Sequence, residues 1–372
     1  MLAALVAGFA AVPVSAATSS SGAFTALTYN VAGLPQGISS SDPTTNSPLI
    51  SPLLNDFDLV LLQEDFSDPT GLGLIGFHEI VVADADHPHR SEPAPPPAGT
   101  DLRRTPPHQP PLLADGLNRL SRFPIGQLDR QMWADCHGEF SAAVAEEIAK
   151  ALDLDEPIQD LGLGAVVDGG AADCGAQKGF SVATHTLAAD VHVDVYNLHA
   201  EAGSGPDDNA VRAAGFEQLA DHIVAHSAGR AIIVGGDTNL HTIRDEIDTD
   251  VWAAFVQSTD LVDVCDAVDC GEDAGEIDKF AFRSSADVEI RPLTHSFERE
   301  RFTRDDGEPM SDHDALAVTF AWSSPPADDG GATTPVTGGS LVALAALALA
   351  AAALVGRRPA RAFSPNRPAQ GR

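Results

Sequence analysis

Apolar and β-branched residues recur along this chain in short runs rather than in long amphipathic arcs. The runs at 24–32, 58–66, 117–125, 181–187, 191–199, 231–237, 277–285 and 315–322 each read as strands. Several are continuously apolar, as expected of strands covered on both faces. Two stretches carry helical spacing instead, 141–152 and 209–226, the second with Asp207 or Asp208 as cap and Gly229 as terminator. Strands outnumber helices, and the helices interrupt them irregularly. That order predicts an α+β arrangement of two packed sheets with helices outside, rather than a regular alternating parallel sheet. Residues 83–115 are rich in proline and show no period, so they read as one long loop. Its histidines, His87, His89 and His108, are candidate metal ligands, against the commoner reading of solvent-exposed loop residues.

Both ends depart from this pattern. Residues 2–11 are apolar and Val14-Ser15-Ala16 supplies small residues for cleavage, so 1–17 reads as a signal peptide. Residues 341–355 contain only Leu, Val and Ala, a length of about 22 Å as a helix, and counting 338–356 brings the stretch close to spanning length. Arg357 and Arg358 follow as a cationic stop. The preceding TTPVTGG at 333–339 is similar to a sortase-type signal without its Leu-Pro start. The expected organisation is a catalytic domain over 18–322, a polar linker at 323–340, a hydrophobic anchor at 341–356 and a basic cytoplasmic tail at 357–372. The expected location is extracellular or at the cell surface, with attachment to membrane or cell wall through the C-terminal segment.

Charge narrows the class of partner. Of the 372 residues, 54 are acidic and 22 basic, and five of the basic ones are arginines in the last 16 positions. Only Lys150, Lys178 and Lys279 are lysines. A surface so acidic offers no cationic track on which to release the counterions of a nucleic acid. Four cysteines, Cys136, Cys174, Cys265 and Cys270, form an even set that allows three disulfide connectivities. The pairing nearest in sequence, Cys136–Cys174 and Cys265–Cys270, is preferred because each bridge closes a loop between motif segments.

The chemistry-bearing residues stand at the ends of apolar runs, where a polar group costs free energy unless it has a partner or a task. Asn30 follows FTALTY, Glu64 follows DLVLLQ, and Asn197 and His199 lie in VDVYNLHAE. Asp237 and Asn239 follow AIIVGG, and Asp312 and His313 precede ALAVTF. Singly, each has a structural reading: Asn30 a turn residue, Asp237 a helix cap, His313 a packing residue. Together they supply hard oxygen ligands for Mg²⁺ or Ca²⁺, carboxylate–histidine pairs for general base work, and amides that can donate to a phosphate oxygen. Phosphoester hydrolysis needs all three. No nucleotide-binding Gly-rich loop, Gly-x-Ser-x-Gly turn or His-Glu-x-x-His motif competes.

In this order and spacing the segments TYNVAGLP (28–35), LLQEDF (61–66), DGLNRLSRFPI (115–125), YNLHAEAG (196–203), GGDTN (235–239), EIDKFAF (276–282) and SDHDALAV (311–318) resemble the endonuclease/exonuclease/phosphatase superfamily over roughly 24–322. The resemblance implies a DNase I-like four-layer α/β sandwich, with two packed mixed β-sheets flanked by helices. It also implies a metal-dependent phosphodiesterase using Mg²⁺, with Ca²⁺ or Mn²⁺ as alternatives. Carried over by position, Glu64 is the principal metal ligand with Asn30 alongside it, and Asp312 adds a metal contact. His199 contacts the scissile phosphate, Asp237 positions or deprotonates water, and Asn239 holds the phosphate. His313 is a base or phosphate stabiliser oriented by Asp278.

The chain departs from the family pattern at Lys279, and at Asn-Leu-His in place of Asn-Thr-His. The only tyrosines, Tyr29 and Tyr196, each precede a motif asparagine and are expected to pack beneath the site. Three functions compete: hydrolysis of phospholipid headgroups in the manner of a sphingomyelinase, an extracellular DNase I-like endonuclease, and a surface-binding module without catalysis. The acidic surface tips the expectation to a phospholipid or other small phosphodiester, acted on by a monomer.

Overall fold

Parallel pairing at the centre of each of two sheets decides where the polar residues of the chain are brought together. The computed structural model describes residues 20–36, 39–68, 76–95, 113–138 and 172–324. The strands among them are β1 (Ser21–Asn30), β2 (Leu59–Gln63), β3 (His89–Arg90), β4 (Asn118–Ser121), β5 (Asp129–Met132) and β6 (Gly179–Ala188). They continue with β7 (Val191–His199), β8 (Ala231–Asp237), β9 (Val262–Asp263), β10 (Asp278–Arg283), β11 (Glu289–Phe297) and β12 (Leu316–Ser323). One six-stranded sheet runs β11-β12-β1-β2-β4-β3 and the other β5-β6-β7-β8-β10-β9. In the first, β1 is parallel to β2 with Asn30 opposite Gln63. In the second, β7 is parallel to β8 with His199 opposite Asp237. Both sheets are therefore mixed, and each parallel pair has antiparallel neighbours outside it.

Side-chain alternation builds four layers from these sheets. Phe24, Ala26, Leu59, Leu61, Val193, Val195, Ile233, Phe280 and Phe320 face inward and form the core between the sheets. Their sequence neighbours face outward. Leu27, Tyr29, Val60 and Leu62 pack with Ile50 of the helix Pro43–Leu53 and with Phe77 and Val81 at the helix His78–Val81. On the other side Tyr196, Leu198, Ile232 and Val234 pack with Phe216, Leu219 and Ile223 of the helix Pro206–His226, and with Trp252 and Phe255 of the helix Glu246–Ser258. Layer order is helix, sheet, sheet, helix, as the resemblance implies.

The same alternation places the two tyrosines. Tyr29 and Tyr196 lie one residue before inward-facing asparagines, so their rings pack in the outer layers, and Tyr29 stays close enough to Ser311 and Asp312 for both to act on its hydroxyl. Tyr29 packs 4.7 Å from the Phe302 ring, and the Tyr196 hydroxyl bonds Ser227 Oγ at 2.8 Å.

Some elements differ from the sequence reading for local reasons. The run 117–125 is a strand only over Asn118–Ser121, since Pro124 follows and Ile125 returns as an isolated bridge to His185. The helix Pro43–Leu53 contains Pro48 and Pro52, yet Asp42 caps it by accepting from Thr45 N–H at 3.3 Å. Strand β11 carries Pro292 beside a register shift, at the edge of its sheet where a missing N–H is tolerated. Of the proposed loop 83–115, His87 is buried with Nε2 bonded to the Phe57 carbonyl at 2.8 Å, and His89 begins β3. His108, the helix 141–152, the signal segment, the linker from 325 on and the C-terminal anchor lie outside the described residues. Among the described residues no helix is long and apolar enough to cross a membrane. The disulfides Cys136–Cys174 and Cys265–Cys270 are both formed, matching the preferred pairing.

Toward one end of the strands the inward face turns polar, and there the sheets are joined by amides. Gln63 Nε2 donates to Asn197 Oδ1 at 2.6 Å and to Thr28 Oγ1 at 3.0 Å. Asn197 Nδ2 donates to the carbonyls of Leu62 and Asn118, at 2.9 and 3.1 Å. From β4, buried Arg119 reaches the Val195 carbonyl at 2.8 Å and Ser181 Oγ at 2.6 Å in the opposite sheet. Gln63→Leu leaves the Asn197 carbonyl oxygen and the Thr28 hydroxyl buried without this amide. The expected loss is about 1–3 kcal/mol of stability, read from urea unfolding midpoints at unchanged m-value. A change below about 0.5 kcal/mol, the range of ordinary surface substitutions, overturns the bridging role.

Candidate active site

Strand direction assembles this site. The two parallel pairs end together, so the residues at their C-terminal ends, Asn30, Glu64, His199 and Asp237, come to one edge. The antiparallel partners bring their beginnings to the same place: Asp278 pairs with Asp237, and His313 precedes β12, which lies along β1. Asn30, His199, Asp237 and Asp278 continue the inward phase of their strands and are buried. Glu64 and His313 are partly exposed and form the lip.

Asp237 is the centre of the arrangement. Its Oδ1 accepts from the Asn239 N–H at 3.0 Å, and its Oδ2 accepts from Asn30 Nδ2 at 3.2 Å. The same Oδ2 lies 3.3 Å from His199 Nε2 and 3.6 Å from His313 Nε2. Asn30 Nδ2 also donates to Glu64 Oε1 at 3.1 Å, and His199 Nε2 is 3.9 Å from that oxygen. The Asn30 amide oxygen accepts from the Ala32 N–H at 3.0 Å, so its nitrogen is the end turned toward the carboxylates. Asp278 Oδ2 accepts from His313 Nδ1 at 2.8 Å.

Two predicted residues stand at the margin. Asn239 has Nδ2 bonded to the Ala200 carbonyl at 3.1 Å. Asp312 is exposed and accepts from the hydroxyls of Ser40 and Ser311. Its charge nevertheless reaches Glu64, Asp278 and His313. Both departures from the family pattern face away from the site. Lys279 points outward, with Nζ bonded to Thr242 Oγ1 at 3.1 Å and lying 5.9 Å from the Trp252 ring, while Leu198 packs in the outer core.

Backbone geometry holds the lip in place. Glu64 and Asn239 both adopt left-handed φ, 52° and 50°, which non-glycine residues rarely do without support. Beneath Glu64 that support was not read from the sequence. Asp65 Oδ2 accepts from His78 Nδ1 at 2.7 Å and from Asn118 Nδ2 at 3.0 Å, and Asp65 N–H donates to the Gly116 carbonyl at 3.1 Å. In GGDTN, a side chain on Gly235 meets the Phe280 ring at 2.3 Å, so glycine is required for the sheets to close under Asp237.

Electrostatics separates the two histidines. Burial, then the positive charges of Lys178 and His313, hold His199 well below the ordinary histidine range, so it is neutral. Burial also opposes charge on His313, but Asp278 and Asp237 outweigh it and hold its imidazolium well above that range. Asp278 is raised to about 6, chiefly by burial. Burial and then the charge of Asp312 push the Glu64 carboxyl up from its usual value. Carboxylates thus crowd one buried edge. Its hard oxygens, together with ligand atoms of Asp237, Asp278 and His313 all within 4.8 Å of one another, fit a divalent cation.

No family model matches the chain. Sphingomyelinases of Mycobacterium tuberculosis (strain ATCC 25618 / H37Rv) and Mycobacterium bovis are each 29% identical to it over 316 residues, which cover 81% of this chain and 53% of each relative. The chain thus spans about half the length of the curated relatives it matches. Among solved structures, SmcL aligns with TM-score 0.50 and 15% identity, covering 80% of this chain and 99% of that one. A beta-toxin double mutant of Staphylococcus aureus with bound magnesium ions aligns with TM-score 0.50 and 12% identity, again over 80% of this chain and 99% of that one. With the helix–sheet–sheet–helix layering, these likenesses establish the fold of this chain, a four-layer α/β sandwich of two mixed sheets flanked by helices.

The electrostatic asymmetry is directly measurable. In Asp278→Asn the His313 ring loses its nearest counter-charge, so its pKa falls while His199 stays neutral, as read by nitrogen-15 chemical shifts of the rings across pH. An unchanged His313 titration contradicts the pairing.

Proposed function

We propose that the chain is a divalent-metal-dependent phosphodiesterase acting on a phospholipid headgroup of the sphingomyelin kind. The observation that carries this reading is the convergence of Glu64, His199 and His313 on the Asp237–Asn30 pair at the shared ends of the two parallel strand pairs. The mycobacterial sphingomyelinase relatives support the choice of ester, as does an acidic chain with little to offer a polyanion.

Glu64 and Asp237 supply carboxylate oxygens for the ion, and Asp312 contributes negative charge at the lip. When bound, the ion neutralises charge on the phosphate and polarises its oxygens. Mg²⁺ is the preferred ion for this oxygen set, with Ca²⁺ or Mn²⁺ as alternatives. Asn30 fixes Glu64 and Asp237 relative to each other through one amide nitrogen. Asp237 accepts the proton of the attacking water as its oxygen bonds phosphorus. His313 gives its Nε2 proton to the leaving alcohol oxygen as the phosphorus–oxygen bond breaks. Asp278 keeps that imidazolium charged and aimed. Because Asp237 Oδ2 and His313 Nε2 lie 3.6 Å apart, the proton taken from water can return to His313 for the next turnover. His199, neutral and buried, contacts a phosphate oxygen, and Asn239 adds an amide at the phosphate. Export is supported by the two disulfides, which persist in oxidising surroundings.

The expected outcomes are specific. Asp237→Ala or His313→Ala abolishes hydrolysis with unchanged circular dichroism, whereas turnover retained in both sinks the assignment. Activity declines on the alkaline side as pH rises through the elevated pKa of His313, since the acid is its protonated form. Metal-dependent rates compared on sphingomyelin vesicles, plasmid DNA and bis-p-nitrophenyl phosphate should rank sphingomyelin first. DNA cleavage far above the other two replaces the lipid reading with a nuclease.

A further inference from the structure

On the outer face of the second sheet, three ligand-type side chains meet with no part in the site above. His222 and His226 lie four residues apart in the last turn of the helix Pro206–His226 and so share one helical face. Their rings are nearly parallel, with centroids 5.0 Å apart. Asp129, at the start of edge strand β5, faces them, with Oδ2 3.9 Å from His222 Nε2. One ligand atom from each of the three lies within 4.8 Å of the others.

We propose that Asp129, His222 and His226 form a second metal site, suited to a borderline transition ion such as Zn²⁺ and separate from the carboxylate site. Four observations support it. Among the described residues, buried His222 Nε2 has no hydrogen-bond partner, which leaves a lone pair or proton without a protein task there. The ring is held in place by edge contacts to Phe180 and Tyr196, centroids at 5.0 and 6.1 Å. The other Asp129 oxygen accepts from Gln131 Nε2 at 3.0 Å, the kind of outer contact that orients a ligating carboxylate. A helix C-terminus also carries partial negative charge, which favours a cation there.

Donor type separates the two sites. Two imidazoles and one carboxylate suit Zn²⁺, Ni²⁺ or Cu²⁺, whereas the oxygen-rich cluster at Glu64 and Asp237 suits Mg²⁺ or Ca²⁺. Ligand atoms around tetrahedral zinc stand about 3.3 Å apart, so Asp129 and His226 close on the held His222 ring by side-chain rotation, with a fourth position left to water. A bound ion ties β5, which among the described strands pairs only with β6, to the helix that covers it.

The test uses the full chain stripped by a chelator and titrated with ZnCl₂ by calorimetry, in excess Mg²⁺ so that the carboxylate site is occupied. One zinc equivalent is expected in the wild type and in Glu64→Gln. It should be lost in His226→Ala, an exposed position whose change leaves Mg²⁺-dependent hydrolysis intact, and weakened in Asp129→Asn. Zinc should raise the melting temperature of the wild type but not of His226→Ala. Absence of a zinc equivalent in the wild type, or equal stoichiometry in His226→Ala, overturns the proposal. Neither result depends on which ester the chain hydrolyses.

Discussion

The structure depends on one constraint: the two sheets are pressed together along inward faces that change, within single strands, from hydrocarbon to amide and carboxylate. In β1 the inward series runs Phe24, Ala26, Thr28, Asn30, and in β8 it runs Ala231, Ile233, Gly235, Asp237. The apolar half stabilises the contact by burial, at roughly 1.5–3 kcal/mol for each large side chain removed from water. The polar half tends to cost about as much per group wherever a partner is missing. The pairing of Gln63 with Asn197, and of Arg119 with the opposite carbonyls, is what lets the sheets stay closed there. Without that bridge the carboxylates at the edge have no fixed frame.

Fixing the frame also fixes the protonation pattern. His199 and His313 approach the same oxygen of Asp237, at 3.3 and 3.6 Å, yet their environments differ. His313 has Asp278 on its other nitrogen, while buried His199 Nδ1 has no hydrogen-bond partner among the described residues. Asp278 on Nδ1, and Asp237 after it, hold His313 as an imidazolium, while burial and the Lys178 charge keep His199 a neutral imidazole. Two like groups driven to opposite charge states around one carboxylate form an acid and base assignment in which position does the sorting.

Much of this was legible in the sequence because a polar residue ending an apolar run is conspicuous. Asn30, Glu64, His199, Asp237 and His313 stand out in that way, and the parallel pairings bring them together. The supporting residues do not stand out. Gln63 is masked by the adjacent Glu64, and the contact of Asp65 with His78 spans 13 positions of unpatterned chain. Prolines hid the helix Pro43–Leu53 and strand β11, since capping and edge placement override the residue type. The capping Asp245, with Trp252 and Phe255 three apart, was available as a signal for the helix Glu246–Ser258.

The two halves of the site use the same backbone device, which accounts for the strain. After β2 the chain turns through Glu64 in left-handed geometry, and after β8 it turns through Asn239 in nearly the same conformation. A strand continuing in extended form carries its next side chain to the outer face. The left-handed turn instead keeps Glu64, one residue past the inward-facing Gln63, at the inner edge where Asn30 meets it. At Asn239 it lets the backbone N–H fold back onto Asp237. Each such residue costs on the order of 1–3 kcal/mol, so each needs a rigid support. For Glu64 the support is the Asp65–His78–Asn118 cluster; for Asn239 it is the carboxylate it orients and the Ala200 carbonyl. At Glu64 the strain is located where two consecutive positions must both serve the same face, a requirement that regular strand geometry cannot meet.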